Sequence, residues 1–545
     1  MLSRDGREAG KWAWRAPGRT WRNWTRYPKL PDLGAGVLMP DSGLPCRFVV
    51  SHALTPPPCP APPPRRQRRA QRPPSAPPAL TRLPAAASPQ LNPQVNPQVN
   101  PFSLVMGGAV LQMGLSPEGA IGAATVAAVV TTLALISNSA AGAKYGVPFP
   151  VYARASFGVH GAKIVALIRG IVAIFWLAIQ NWFGSQMLYF GISSAAPGIS
   201  DTPRIDGGYM NLAEFLLFLG FTGMGCLLVL IGLERMKGFV MVATGFGAVA
   251  LVALSVMSFV QASPAAVHRA LQGREGLSTS SPIPFGQAVN SCVSSWSTLI
   301  LNMADLARYA KSQRDQAVGQ AVGFPTVYVA LFAFSIFLCG AFFVAEGRLV
   351  WDLSPMLATW SPYFSIPVAL CLSVGVLAVN LSANIVSPAN DFANLWPERI
   401  SFRAGAYATL LLSLCAVPWR IMSSAKSLME IFLSGYSMLT GGIFTVMTWN
   451  FFIVNGRKLD VPGLYVKGPR GPYYGAACGF SPIAFLSILG GAAVCVPGWL
   501  HDLGAVDVPI GVAALFDLSW FISGVTAAIL YAALHFAVSR ARRKA

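Results

Sequence analysis

Charge is scarce in this chain, and acid is scarcer still. Only 11% of its 545 residues are charged, with 21 Asp and Glu in all, where a soluble domain carries about a quarter. Histidine is nearly absent: His52, His160, His268, His501 and His535 fall in the basic N-terminal stretch, in loops or near the last helix end. The nine cysteines are scattered, with no C-x-x-C pair and no His/Cys spacing of a metal site. They read as small packing residues, Cys226 inside an apolar run among them. No H-E-x-x-H, Walker A or G-x-S-x-G motif occurs. These shortages exclude a zinc site, a disulfide framework and a paired nucleophile and base. No catalytic residue, metal or cofactor is expected.

What is abundant is apolar sequence, 54% of the chain, with a mean hydropathy of +0.53. One soluble core could not bury that much, so lipid is the expected solvent. The net charge of +19 could suggest nucleic acid, but it sits in the N-terminal stretch and in short loops between apolar runs. That distribution suits the positive-inside rule of membrane proteins.

Residues 1–95 are rich in Arg, Pro and Ala, as in TPPPCPAPPPRRQRRAQRPPSAPPAL (55–80), and show no helical or strand period. A disordered basic tail is expected, either an organelle transit peptide or a gene-model artefact. The repeat NPQVNPQVNP (92–101) closes it. A transmembrane domain is expected over 100–538, then a basic tail at 539–545. Twelve apolar runs are predicted: 102–115 (short), 117–138, 164–190, 211–232, 238–261, 285–301, 318–345, 363–386, 404–422, 428–454, 477–498 and 509–538. Alternate loops carry Lys144, Arg154 and Lys163; Arg235 and Lys237; Arg308, Lys311 and Arg314; Arg399 and Arg403; then Arg457, Lys458, Lys467 and Arg470. Both termini are therefore expected on the cytoplasmic side.

Polar side chains inside the runs are costly and need a reason. In FWLAIQNWFG (175–184), Trp176 and Gln180 share a helical face. An indole beside an amide could hold a flat polar ring. The pair equally suits a tryptophan at the lipid boundary and a glutamine bonded to a neighbouring helix. Asn290, Ser291, Ser294, Ser295, Ser297 and Thr298 crowd around Trp296. They suit helix contacts, or a discontinuous helix lining a site. Asn302 and Asp305 read as capping or loop anchoring. Asn380 and Asn384, again four apart, need partners inside their run, and Pro388 is expected to end or kink that helix. Glu430, near the start of its run, reads as a solvated helix-end residue.

Five stretches, in order, resemble the nucleobase–cation symporter-1 family: AKYGVPFPVYARASFG (143–158), FWLAIQNWFG, NMADLARYAKSQRDQ (302–316), NIVSPANDFANLWPERISFRAG (384–405), and GYSMLTGGIFTVM with GRKLDVPGLY (435–447, 456–465). The resemblance implies an all-α membrane protein of the LeuT type: two inverted five-helix repeats plus two helices, the first and sixth broken at the substrate site. It implies that Trp176 and Trp296 flank the substrate and that Gln180 and Asn384 read its edges, while Asn181 bonds a neighbouring helix. The activity implied is alternating-access symport of nucleobases or related ureides such as uracil or allantoin. Carriage of another flat solute (nucleoside, purine or thiamine) and a non-transporting receptor-like isoform are the alternatives. An enzyme is not implied.

Two departures from the family pattern matter. Sodium-coupled members place hydroxyls where this chain has Ala378 and Val379, within the stretch starting at Gly375. Proton coupling is therefore expected over sodium. LVMGGAVLQMGLS (104–116) matches only the second half of the first helix. Asn100 falls where a substrate-contacting amide is expected, but Pro-rich sequence precedes it. A faulty gene model or a defective isoform is the expectation there. A plasma membrane is the default location, with a plastid envelope as the alternative.

Overall fold

The computed structural model describes residues 102–544, apart from 232, 273–282, 397, 467, 470 and 475–477. The N-terminal stretch 1–95 and Asn100 lie outside the described residues. The rest is helical, with one two-residue antiparallel pairing, Arg204–Ile205 against Met210–Asn211.

Each of the twelve apolar runs corresponds to a helix. They are α1 (Ser103–Gln112), α2 (Pro117–Tyr145), α3 (Gly161–Ser193), α4 (Leu212–Ile231), α5 (Leu233–Gln261), α6 (Pro284–Ala307), α7 (Gln313–Glu346), α8 (Pro362–Leu395), α9 (Phe402–Ser413), α10 (Ser427–Val454), α11 (Pro482–Asp502) and α12 (Ser519–Lys544). Nine of these are long and apolar enough to cross a membrane, among the described residues. α1 and α9 are shorter, and α6 is long but polar. The last apolar run is broken: residues 510–517 form a separate short helix before α12.

Local chemistry sets the ends. Ser116 caps α2 by accepting from the Gly119 amide at 3.1 Å, and Pro117 fits the first turn. Gly146 closes the same helix at φ +70, a conformation that costs glycine little. Pro388 does not end α8, but the helix is irregular just before it, the second of the two expected outcomes. Residues Leu381–Ile385 widen into a π-turn immediately before it. The ring of a helical proline collides with the carbonyl four residues back, here Asn384, so the wider turn falls where relief is needed.

The packing shows two related halves. α2 packs on α7, and α3 on α8, each helix with its counterpart five places later. The α1–α7 contact is mirrored by α6–α2. The latter is close: a Cβ on Gly142 would lie 2.7 Å from Ala304 Cα, and Asn138 Nδ2 donates to the carbonyls of Ile300 and Leu301, both at 2.7 Å. Small residues let helix backbones approach in this way. α1, though only ten residues, is buried along its length. Gly107 and Gly108 seat it against Ser335, Cys339 and Trp351.

The basic loops meet at one end of the bundle. Lys144 Nζ and the Tyr145 hydroxyl both donate to the Arg457 carbonyl at 2.9 Å, and Arg154 donates to Leu464 O and Asn394 Oδ1. Asp305 accepts from the Phe149 amide at 2.7 Å, a loop anchor as its position suggested.

Candidate functional site

A cavity of about 70 Å³ lies between α1, α3, α6, α7 and α8, several times the space one water needs. Four of the sequence candidates line it: Trp176 and Gln180 from α3, Trp296 from α6 and Asn384 from the π-turn of α8. Val379 lines it too, whereas Gly375 and Ala378 do not.

The aromatic walls are held edge-on. Trp176 meets Phe102 at 5.5 Å and 90°, and Phe432 at 5.9 Å and 68°. Its indole N–H donates to the Tyr436 hydroxyl at 3.2 Å, which in turn donates to the Ser294 carbonyl of α6. Trp296 meets Phe324 at 4.9 Å and Tyr328 at 5.9 Å, both nearly perpendicular. T-shaped contacts of this kind fix ring orientation.

Two polar atoms at this cavity are buried without a hydrogen-bond partner among the described residues: the Gln180 amide oxygen and the Tyr328 hydroxyl. The Cys292 thiol and the Trp296 indole lie near the phenol. An unpaired buried polar group is costly, so two on one small cavity mark where a ligand would complete the bonding. Tyr328 was not among the sequence candidates. Its run is otherwise apolar, and nothing in the sequence showed which face of that helix turns inward.

The asparagines form a chain. Asn384 Nδ2 donates to Asn380 at 2.8 Å, Asn380 donates to Asn181 at 2.7 Å, and Asn181 donates to Thr222 of α4 at 3.1 Å. Asn380 also reaches the Leu177 carbonyl. Asn181 therefore does bond neighbouring helices. Asn384 spends one amide N–H inside this chain and lines the cavity.

Three expectations are corrected. α6 is one unbroken helix, not a discontinuous one. Its interior from Gln287 onward has no Gly or Pro, and two of its hydroxyls donate to carbonyls one turn back, Ser295 to Cys292 and Ser297 to Ser294. Glu430 is not solvated but 4% exposed, within the π-helical start of α10 (Ser427–Leu433). Third, Asn302 neither caps nor anchors a loop. It joins a buried ion pair absent from the sequence reading: Arg169 of α3 meets Asp391 of α8 at 3.0 Å, each 2% exposed. With the Asn302 amide turned to match donors to acceptors, its oxygen accepts from Arg169 at 2.9 Å and from Ser387 at 2.7 Å.

No group of three metal-binding side chains occurs among the described residues. The arrangement is an aromatic-walled binding cavity at the meeting of the two repeats of a multi-pass membrane protein.

Solved structures share this architecture. The inward-facing conformation of Mhp1 aligns with a TM-score of 0.62 at 17% identity, covering 82% of this chain and 90% of that one. Mhp1, a nucleobase-cation-symport-1 family transporter, in a closed conformation with bromovinylhydantoin bound gives a TM-score of 0.60 at 18% identity, covering 82% and 91%. The fold is thus the LeuT-type five-plus-five arrangement with two further helices. Residues 98–523 match the family of permeases for cytosine/purines, uracil, thiamine and allantoin. An allantoin permease of Bacillus subtilis (strain 168) is 34% identical over 442 residues, covering 78% of this chain and 85% of the relative. A purine-uracil permease of Arabidopsis thaliana is 28% identical, covering 78% and 71%. The chain belongs to this permease family, nucleobase–cation symporter-1, and not to a family of enzymes.

Proposed function

We propose that this protein is a proton-driven symporter of nucleobases or related ureides such as uracil or allantoin, working by alternating access. The observation that carries the reading is the pair of unpartnered buried atoms on an aromatic cavity. The Gln180 oxygen asks for an N–H, and the Tyr328 hydroxyl can give to a carbonyl. A ring with adjacent N–H and C=O groups supplies both, and that is the chemistry of a cyclic imide or ureide. Trp176 and Trp296 would flank the ring, and the Asn384 oxygen would read a second N–H. Asn100 is proposed as a further contact. Relatives named for allantoin and for purine-uracil transport support the substrate class.

Proton coupling rests on what stands at the remnant of the cation site. Gly375, Ala378 and Val379 offer no side-chain oxygen, and hard cations need oxygen ligands. By the positive-inside rule, the basic end of the bundle and both termini face the cytoplasm. The plasma membrane is the proposed location, and a plastid envelope the alternative.

The test is uptake of labelled uracil and labelled allantoin in transport-deficient cells, at acid and neutral pH, in sodium and in choline buffer. Accumulation of either that is stimulated by acid and indifferent to sodium is expected. Uptake that needs sodium overturns the coupling. No accumulation of either solute, with the protein at the cell surface, overturns the transport reading.

A further inference from the structure

Three acidic side chains are buried within the described helices away from the cavity, Asp391, Glu430 and Asp517, and they are held differently. Asp391 is clamped by Arg169 through one oxygen at 3.0 Å, its other oxygen having no hydrogen-bond partner among the described residues. Glu430 has no comparable clamp. Its Oε2 has no hydrogen-bond partner among the described residues, and Lys426 Nζ stands 3.8 Å away on a half-exposed side chain. Burying a carboxylate charge without donors is costly, and taking a proton removes that charge.

The surroundings of Glu430 contain both acids and bases. The segment 427–433 packs against α6, α11, the turn at 418–421 and the rest of α10. α11 brings Asp502, with His501 beside it, and Asp517 stands just before α12; both carboxylates act on Glu430. Asp517 accepts from Gln287 of α6 at 2.8 Å. The turn brings Arg420, which is engaged by Asp206. Ser291 of α6 donates to the Met429 carbonyl at 3.0 Å, tying the segment to the helix that carries Trp296.

This segment also touches the cavity wall. Phe432, two residues on, packs edge-on against Trp176 and meets Tyr436 at 5.2 Å. Tyr436 is the hydroxyl that holds the Trp176 indole to α6. π-helical turns are rare and often occur at functional positions. A change of charge at Glu430 therefore has a short packed path, through Phe432 and Tyr436, to the substrate tryptophan.

We infer that Glu430 is the group that takes up the coupling proton, its protonation setting the position of the 427–433 segment against Trp176. This rests on the proton-symport reading above. The test uses purified full-length protein in liposomes, with labelled uracil or allantoin, whichever the wild type carries. Two readouts are taken: accumulation driven by an inward proton gradient, and counterflow exchange with no gradient.

Glu430→Gln is expected to abolish gradient-driven accumulation while keeping counterflow. Glu430→Asp is expected to keep accumulation with a displaced pH profile. Gradient-driven accumulation by Glu430→Gln equal to wild type overturns the inference and leaves proton symport standing. Loss of counterflow in both variants also overturns it and makes Glu430 a structural residue. A wild type driven by a sodium gradient alone overturns the coupling reading and this inference together, and it shows before any variant is made.

Discussion

At the scale of single residues, the cavity makes unequal demands on its polar groups. Gln180→Ala and Asn384→Ala should each raise the KM for uptake while folded protein remains in the membrane. Normal kinetics in both would remove them from the site. Tyr328→Phe deletes one oxygen and keeps the ring that supports Trp296. A single hydrogen bond contributes about 0.5–1.5 kcal/mol, so affinity should fall by a few-fold to roughly tenfold. Unchanged affinity in a binding assay would show that the phenol does not reach the substrate. Trp176, Gln180, Trp296 and Asn384 were singled out through the family resemblance, since a tryptophan or amide inside an apolar run suits a helix contact equally well. Tyr328 was not, since a lone tyrosine in such a run is commonplace. Glu430 was misread because its place near the start of a run suggested solvent. The short segment 418–421 and α11 cover it instead.

At the scale of elements, the twelve runs were legible from hydropathy alone, since lipid demands long apolar helices wherever the chain crosses. Continuity was not. Small polar residues suit a broken helix and a tightly bonded one equally, and α6 proves to be the latter. The Arg169–Asp391 pair joins α3 to α8, and it escaped notice because only tertiary structure brings residues 222 positions apart together. Removing one partner leaves a buried charge alone, at about 3–5 kcal/mol. Arg169→Met and Asp391→Leu should each lower the melting temperature of the purified protein. The double variant should recover much of the loss. If the double variant melts lower than both singles, the pair does more than balance charge.

A second ion pair links the 204–211 hairpin to the turn before α10. Asp206 meets Arg420 at 2.6 Å, and the Trp419 indole donates to the same carboxylate. The Arg420 guanidinium, and then Trp419, hold the Asp206 carboxyl below its ordinary value of 3.8. A lowered carboxyl adds stability that is fully present above the unfolded value and is lost only as pH falls through the folded one. The hairpin should therefore stay docked in the mildly acid buffers of a proton-driven assay. Hydrogen exchange of residues 204–211 should be flat between about pH 5 and pH 7 after correction for intrinsic rates. In Asp206→Asn, exchange should be faster throughout that range. Protection that fades in the wild type at mild acid would contradict the assignment.

For the whole molecule, two exposed cysteines report orientation. Cys415 follows α9, and Cys478 precedes α11 in the stretch that packs on the basic loops through His160 and Gly479. A membrane-impermeant thiol reagent applied to intact cells should modify Cys415 and spare Cys478, as peptide mapping would show. The reverse pattern would invert the proposed topology. Sidedness is the property that hydropathy leaves open, because a helix crosses equally well in either direction. It was legible only through the bias of Lys and Arg among the loops.

On the proposed site assignment, the asparagine chain gives substrate choice a second address. Asn384 is set by Asn380, Asn380 by Asn181, and Asn181 by Thr222, a residue that does not line the cavity. If Asn384 reads the substrate as proposed, a change at Thr222 on the flank of α4 should shift what is selected without altering any residue that lines the cavity.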